Sequence, residues 1–138
     1  MDNRFEFELE NDLSEIERLN SILEDLAARG LLPQDKLFGV NLALEELITN
    51  VISYAYDDDA RHLIGLAFEF KDGKVDIEIA DNGREFDPFE EAAKPDLDAA
   101  PEDRPIGGLG VHFVKQMMDE YSYSRKNGKN IVRLSKNL

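Results

Sequence analysis

The sequence predicts an α+β fold, a two-layer α/β sandwich in which a mostly antiparallel sheet carries its helices on one face. Two observations predict it. Three segments have helical periodicity, and five alternate in the manner of strands, four of them paired across Asp-Gly or Asn-Gly turns. The order is strand, two helices, two strands, an irregular segment, a helix and two strands. A length of 138 residues suits one core, so we expect a single domain over residues 1–138.

The N-terminal part of the chain predicts one strand and two helices. Residues 4–9 alternate apolar and charged side chains, which is typical of a half-buried strand. Residues 14–17, Ser-Glu-Ile-Glu, have the spacing of a capping box at the start of a helix, and Gly30 lies where a left-handed residue would end that helix. Pro33 suits the first turn of a second helix, which we expect to continue to about Tyr56.

Turn residues mark both hairpins of the predicted sheet. Strands at 64–70 and 75–80 flank an Asp-Gly turn, a strong hairpin signal. Strands at 121–125 and 130–134 flank an Asn-Gly turn. Such short connections make both pairs antiparallel.

Between the two hairpins, residues 82–105 lack periodicity and contain four of the five prolines. A long irregular segment inside a compact domain is usually either a functional lid or disordered. It leads into Gly107-Gly108-Leu109-Gly110, after which apolar side chains recur at helical spacing.

Composition and charge exclude several functions. The chain has 16 Lys and Arg against 30 Asp and Glu, and the net charge of −14 opposes binding to nucleic acid or to an anionic membrane surface. Without cysteine there are no disulfides, zinc-thiolate sites, iron–sulfur ligands or cysteine nucleophiles. His62 and His112 are too few for a histidine-rich metal site. The N-terminal residues lack a secretory signal core and no stretch suits a membrane span, so we expect a cytoplasmic protein.

A carboxylate and a carboxamide lie together on the second predicted helix. Glu46 and Asn50 are four residues apart and therefore share one helical face. Glu46 could act as a general base, and the Asn50 carbonyl oxygen could ligate a hard cation such as Mg²⁺. A solvated helix face would explain the same pair, so this pattern alone does not decide.

Two further segments suit nucleotide binding. Asp81-Asn82-Gly83 directly follows a strand and is either a simple turn or a base-reading site. In the second case Asp81 would accept a hydrogen bond from an exocyclic amine such as that of adenine, and Gly83 would let a flat ring approach the backbone. The glycines of residues 107–110 expose N–H groups at a helix N-terminus, where polyphosphate can bind without many lysines. The sequence contains neither a Walker loop nor a dinucleotide fingerprint.

Together these segments resemble the GHKL (Bergerat) ATP-binding fold of gyrase, MutL and histidine kinases. The likeness is closest to the bacterial anti-sigma factor serine/threonine kinases of the RsbW and SpoIIAB type. Residues 46–50, Glu-Leu-Ile-Thr-Asn, are similar to the N box of that family. Residues 81–88 are similar to its first glycine box, and residues 108–110 with 118–120 to its second. The resemblance covers nearly the whole chain and implies a flexible ATP lid at about 84–107.

The resemblance also implies a role for each site residue. Glu46 would activate the attacking hydroxyl, and Asn50 would hold Mg²⁺. Asp81 would read adenine, and Gly83 would pack against the base. The other nucleotide-binding positions would be Phe86, Arg104, Gly107, Gly108, Leu109, Gly110 and Asn130.

The reaction implied by the resemblance is phosphoryl transfer from ATP, with Mg²⁺, to a serine or threonine. The acceptor would be a STAS-domain anti-anti-sigma protein. The kinase would alternately sequester a sigma factor, often as a homodimer, without direct contact to nucleic acid or membrane.

Three departures from the family pattern keep other functions open. Glu85 replaces a glycine of the broader pattern, and Asn130 stands where the family often has threonine. Ile106 stands where some members have a basic residue, with Arg104 as the nearest cation. One alternative is therefore a non-catalytic module in which ATP or ADP controls a partner. Another is a detached histidine kinase catalytic domain, which Glu46 opposes because those domains rarely rely on a glutamate there.

Overall fold

The described part of the chain forms one antiparallel sheet and a layer of helices. The computed structural model describes residues 3–91 and 108–138, and within them the sheet has five strands. The strands are β1 Asn3–Glu10, β2 Leu63–Lys71, β3 Lys74–Asp81, β4 Glu120–Lys126 and β5 Lys129–Asn137. The helices are α1 Glu15–Ala28, α2 Gln34–Tyr54, α3 Pro88–Glu91 and α4 Gly108–Met117. This arrangement confirms the predicted α+β class.

The sheet has the order β1-β2-β3-β5-β4, and every neighbouring pair is antiparallel. Both predicted hairpins are confirmed. Asp72 and Gly73 have φ angles of 54° and 76°, and Asn127 and Gly128 have 53° and 76°. Two successive positive φ angles match the twist of the flanking strands, which is why Asp-Gly and Asn-Gly occupy these turns.

The core lies between one face of the sheet and the helices. Phe68, Ile77 and Leu134 are paired across β2, β3 and β5, and each is at most 2% exposed. Leu23 of α1 and Leu44 of α2 are fully buried among the residues of this core. Alternation along each strand leaves charged side chains on the opposite face, so the sheet has one covered side.

Helix α4 packs against α2 in the antiparallel sense. A Cβ atom added at Gly39, near the start of α2, would lie 3.7 Å from Sδ of Met117 at the end of α4. At the other end of the pair, Gly110 in the first turn of α4 contacts Glu46. This packing brings the N-terminus of α4 to the middle of α2.

The predicted capping box at residues 14–17 is wrong. Ser14 makes no side-chain capping bond, and its φ and ψ of −62° and −20° are helical. A capping hydroxyl requires extended backbone, which Ser14 does not have. The turn begins instead at Asp12, whose Oδ1 accepts the Ser14 N–H at 2.9 Å and whose carbonyl accepts the Glu15 N–H at 2.9 Å.

The prediction that residues 82–105 lack regular structure is wrong at Pro88–Glu91, which form α3. Asp87 Oδ1 accepts the Phe89 N–H at 2.9 Å, and Pro88 supplies a helical φ, so an Asp-Pro helix start was present in the sequence. Helix α2 also ends at Tyr54, two residues before the expected end. Residues 92–107, most of the expected lid, lie outside the described residues.

Within residues 3–91 and 108–138, no helix is both long and apolar enough to cross a bilayer.

The placement of the core leads to a stability prediction. Phe68→Ala should lower the free energy of unfolding by about 3–5 kcal/mol, because it removes a fully buried ring and leaves a cavity. Phe38→Ala is the control: that ring is 74% exposed, so the change should be below about 0.5 kcal/mol. Urea denaturation measures both, and equal losses would contradict this core.

Candidate functional site

The candidate site lies where four elements meet: the C-terminal half of α2, the end of β3, the start of β5 and the first turn of α4. The register of the sheet pairs Asp81 with Asn130. The helical spacing of α2 places Glu46 and Asn50 on one face, and Asn50 lines the same cavity as Asp81. The structure therefore brings together residues from four separate segments of the chain.

Asp81 is a buried carboxylate at the end of β3, with 5% exposure. Its Oδ1 accepts two hydrogen bonds, from the Gly83 N–H at 2.9 Å and from Asn130 Nδ2 at 3.0 Å. Oδ2 has no hydrogen-bond partner among the described residues. One oxygen thus satisfies the protein, and the other can accept a bond from a ligand.

Asn130 is the centre of a hydrogen-bond network. Its Nδ2 donates to Asp81 Oδ1 and, at 2.7 Å, to the Arg84 carbonyl. Its Oδ1 accepts from three donors, namely the Phe86 N–H at 3.2 Å, the Tyr123 hydroxyl at 2.6 Å and Arg125 Nη1 at 3.1 Å. Because a backbone N–H and a guanidinium can only donate, and a carbonyl can only accept, these partners fix the orientation of the amide.

Gly83 lies against the end of α2. A Cβ atom at this position would be 2.6 Å from the Ala55 Cβ atom and 2.5 Å from the Ala55 carbonyl oxygen. That same carbonyl accepts the Arg84 N–H at 2.9 Å, and Arg84 Nε donates to the Tyr54 carbonyl at 2.9 Å. The close approach of α2 therefore requires glycine here, a reason that sequence reasoning did not provide.

An apolar slot opens beside Asp81. Val51, Ile79 and Val132 supply apolar walls, while Asn50 and Asp81 supply polar groups. Apolar walls with a few placed polar groups are the usual lining of a ligand pocket. The enclosed volume is about 30 Å³, space for about one water, so a flat ring can enter only when lining side chains move.

Glu46 lies one helical turn before Asn50, and the two side chains are in contact. Asn50 Nδ2 donates to Glu46 Oε1 at 3.3 Å. Burial raises the pKa of the half-buried Glu46 carboxyl, and the bond from Asn50 offsets part of that rise. A carboxylate with a raised pKa is a stronger proton acceptor than an ordinary surface glutamate.

Gly110 lies directly against the Glu46 carboxylate. A Cβ atom at position 110 would overlap Cδ and both oxygens of Glu46. Gly110 is the third residue of α4, which begins at Gly108, so the carboxylate lies beside the N-terminal turn of a ten-residue helix. Unpaired N–H groups and partial positive charge make such a turn a favourable place for anions.

Some expected site residues cannot be placed. Arg104 and Gly107 lie outside the described residues. The backbone of Gly108 and Leu109 forms the start of α4, and their further contacts are not described. The predicted phosphate contacts of these four residues remain predictions.

The donor set at this site fits magnesium. Within residues 3–91 and 108–138, no group of three or more His, Cys, Asp or Glu side chains could hold a metal by itself. Asn50 uses Nδ2 for Glu46, which leaves its carbonyl oxygen as a hard ligand. Magnesium is commonly held by one or two protein oxygens together with substrate phosphates and waters, so Asn50 could hold it in this way.

Sequence reasoning missed Tyr123 and Arg125, the β4 residues that bond to Asn130. A usable signal was present: in the hairpin across Asn127-Gly128, Arg125 pairs directly with Asn130. The predicted strand bounds, 121–125 and 130–134, already placed Arg125 opposite Asn130.

Comparisons with known proteins identify the family of this chain. Residues 9–136 match the histidine kinase-like ATPase domain. The serine/threonine-protein kinase BtrW of Bordetella bronchiseptica is 30% identical over 113 residues, which are 82% of this chain and 79% of BtrW. The serine-protein kinase RsbW of Staphylococcus epidermidis is 31% identical over 103 residues, which are 70% of this chain and 64% of RsbW.

A solved structure has the same fold. The crystal structure of the RsbU and RsbW domains of Rv1364c from Mycobacterium tuberculosis matches 99% of this chain and 32% of that chain, with a TM-score of 0.70. At 14% identity this match supports the fold alone. The resemblance inferred from the motifs is confirmed by the family match, whose range includes every site residue. The chain belongs to the family of the histidine kinase-like ATPase domain.

Proposed function

We propose that this chain is an ATP-dependent serine/threonine protein kinase. The kinase would phosphorylate a STAS-domain anti-anti-sigma protein. It would bind this protein and a sigma factor alternately, and it would sequester the sigma factor while bound to it. The observation that carries the proposal is the position of Glu46, held by Asn50 and packed against Gly110 beside the N-terminus of α4. Relatives named as serine/threonine or serine-protein kinases, about 30% identical, support the same reaction.

The base of ATP would bind in the slot beside Asp81. The free Oδ2 of Asp81 accepts the exocyclic amine of adenine, and the apolar walls contact both faces of the ring. The Phe86 side chain, which lines the slot, moves to admit the base, because the slot encloses only about 30 Å³.

Glu46 would act as the general base for the attacking hydroxyl. The proton of the substrate Ser or Thr moves to a Glu46 oxygen as the hydroxyl oxygen attacks the terminal phosphorus of ATP. The bond between that phosphorus and the bridging oxygen breaks, and ADP leaves with the bonding electron pair. Asn50 fixes the carboxylate by its hydrogen bond, and the raised pKa of Glu46 favours proton uptake. Magnesium, when bound through Asn50, supplies charge neutralisation on the phosphates. The first-turn N–H groups of α4 orient the same phosphates without lysine side chains.

The charge of the chain favours protein partners with basic surfaces. A net charge of −14 repels nucleic acid but attracts basic patches on a sigma factor or an anti-anti-sigma protein. In this proposal the chain acts in the cytoplasm, and a homodimer is implied only by the resemblance to the family.

The kinase reaction can be tested with ATP, Mg²⁺ and a STAS-domain protein, followed by mass spectrometry for phosphoserine or phosphothreonine. Glu46→Gln should lower the transfer rate at least about 100-fold because the general base is lost, while the Kd for ATP should change less than about threefold. Glu45→Gln, the neighbouring carboxylate on α2, is the matched control and should retain full activity.

Each result of this experiment has a definite meaning. Full transfer by Glu46→Gln would remove Glu46 from the mechanism. Tight ATP binding without transfer to any STAS partner would favour the non-catalytic, nucleotide-controlled module. Phosphohistidine on a partner would favour a detached histidine kinase domain.

The contact between Gly110 and Glu46 gives a second prediction. Gly110→Ala should lower the transfer rate by about 10- to 100-fold, because the added methyl group displaces the Glu46 carboxylate from its position. Gly39→Ala also adds a methyl group between α2 and α4, but at an ordinary contact distance of 3.7 Å from Met117, and should leave the rate unchanged. Equal rates for both variants would contradict the positioning role of Gly110.

The raised pKa of Glu46 gives a pH prediction. A pKa above the unfolded value of about 4.3 means that folding disfavours the ionised carboxyl. Glu46→Gln should therefore increase the free energy of unfolding at pH 7, and this gain should vanish as the pH falls below about 4. Urea denaturation between pH 3 and 8 measures the effect, with Glu45→Gln as the control. A gain that does not depend on pH would refute the assignment.

A further inference from the structure

We propose that Asn130, held by Tyr123 and Arg125, makes the nucleotide site selective for adenine by leaving Asp81 only one free acceptor oxygen. The inference rests on the proposed function, since it concerns the base of the bound nucleotide. It assigns to Asn130 an indirect role, and it gives two residues of the edge strand β4 a part in base selection.

One carboxylate oxygen of Asp81 is already saturated with hydrogen bonds. A carboxylate oxygen has about two acceptor positions, and Oδ1 uses both, for the Gly83 N–H and for Asn130 Nδ2. Adenine presents one exocyclic amine, which the remaining Oδ2 can accept. Guanine presents two adjacent donors, N1–H and N2–H, which match a carboxylate through both of its oxygens. With Oδ1 occupied, that two-point contact cannot form.

Asn130 has no polar side-chain atom left to bond to a ligand. Both Nδ2 hydrogens are donated, to Asp81 and to the Arg84 carbonyl, and Oδ1 accepts from three donors. Asn130 is also 4% exposed. It is therefore a positioning residue that acts on the base through Asp81.

Two side chains of β4 hold the Asn130 amide in place. The Tyr123 hydroxyl donates to Asn130 Oδ1 at 2.6 Å, and Arg125 Nη1 donates to the same oxygen at 3.1 Å. Arg125 Nη1 also donates to the Gly83 carbonyl at 2.8 Å, so it holds both the amide and the loop that bonds to Asp81. Loss of either side chain would let the amide rotate and release Oδ1.

The test measures the Kd values of ATP and GTP, each with Mg²⁺, by calorimetry on the full chain and five variants. The unchanged chain should prefer ATP. Asn130→Ala should lower this preference at least about tenfold, since it frees Oδ1 of Asp81. Tyr123→Phe removes one hydroxyl and keeps the ring, and should lower the preference about threefold to fivefold. Tyr121→Phe, on the same strand, is the control and should retain the full preference.

A purely structural role would change a different readout. Such a role would weaken ATP and GTP binding equally and lower the melting temperature, and it would leave the ratio of the two Kd values unchanged. An unchanged ratio of Kd values in Tyr123→Phe would overturn the inference. This variant also decides the test if Asn130→Ala does not fold. Arg125→Ala should lower the preference for ATP over GTP. Its control is Arg133→Ala, because the partner of Arg133 is the surface carboxylate of Glu78.

The experiment separates this inference from the proposed function. If the unchanged chain binds neither nucleotide, both fail. If it binds ATP and GTP equally, or if the variants keep its preference, the inference fails while nucleotide-dependent kinase activity stands. The lowered preference should come from a lower Kd for GTP, because the released Oδ1 of Asp81 can accept the second guanine donor, while the Kd for ATP should change little because adenine uses Oδ2.

Discussion

The pairing of Asp81 with Asn130 across β3 and β5 is the interaction on which the site depends. A buried carboxylate is costly unless it is hydrogen-bonded, and this one receives bonds from the following loop and from the neighbouring strand. Those bonds fix the loop after β3, and Gly83 in that loop allows Ala55 to approach closely. A shift of one residue in the register would turn Asp81 or Asn130 to the opposite face of the sheet and disassemble the cluster.

Helix α2 links the two halves of the site. Its end contacts the loop that positions Asp81, and one to two turns earlier it carries Asn50 and Glu46. A helix is a rigid support with a rise of about 1.5 Å per residue, so the distance between the end that contacts the Asp81 loop and the turn that carries Glu46 is set by the number of residues between them. The close contact of α4 at Gly110 then determines where the Glu46 carboxylate can lie.

The cations described around the cleft have structural roles. Arg84 donates to the carbonyl of Tyr54, Arg125 to that of Gly83, and Lys115 to that of Phe89 at 3.0 Å. These bonds connect the loop, α3, α4 and the edge strand, and each uses only part of the donor capacity of its side chain. In a chain with a net charge of −14, backbone N–H groups at the start of α4 and a metal ion are consistent alternatives for neutralising phosphate.

Local pattern by itself determined the α+β class, both hairpins, the two long helices and the shared face of Glu46 and Asn50, because alternation, helical spacing and turn chemistry involve residues near in the chain. Where local signals competed, as at Ser14, the prediction failed. Only the tertiary structure decided that Gly83 faces Ala55, that Gly110 faces Glu46, and that Tyr123 and Arg125 hold Asn130. Contacts between separate elements depend on how a helix lies on the sheet and on which strands become neighbours, and no spacing within one segment contains that information.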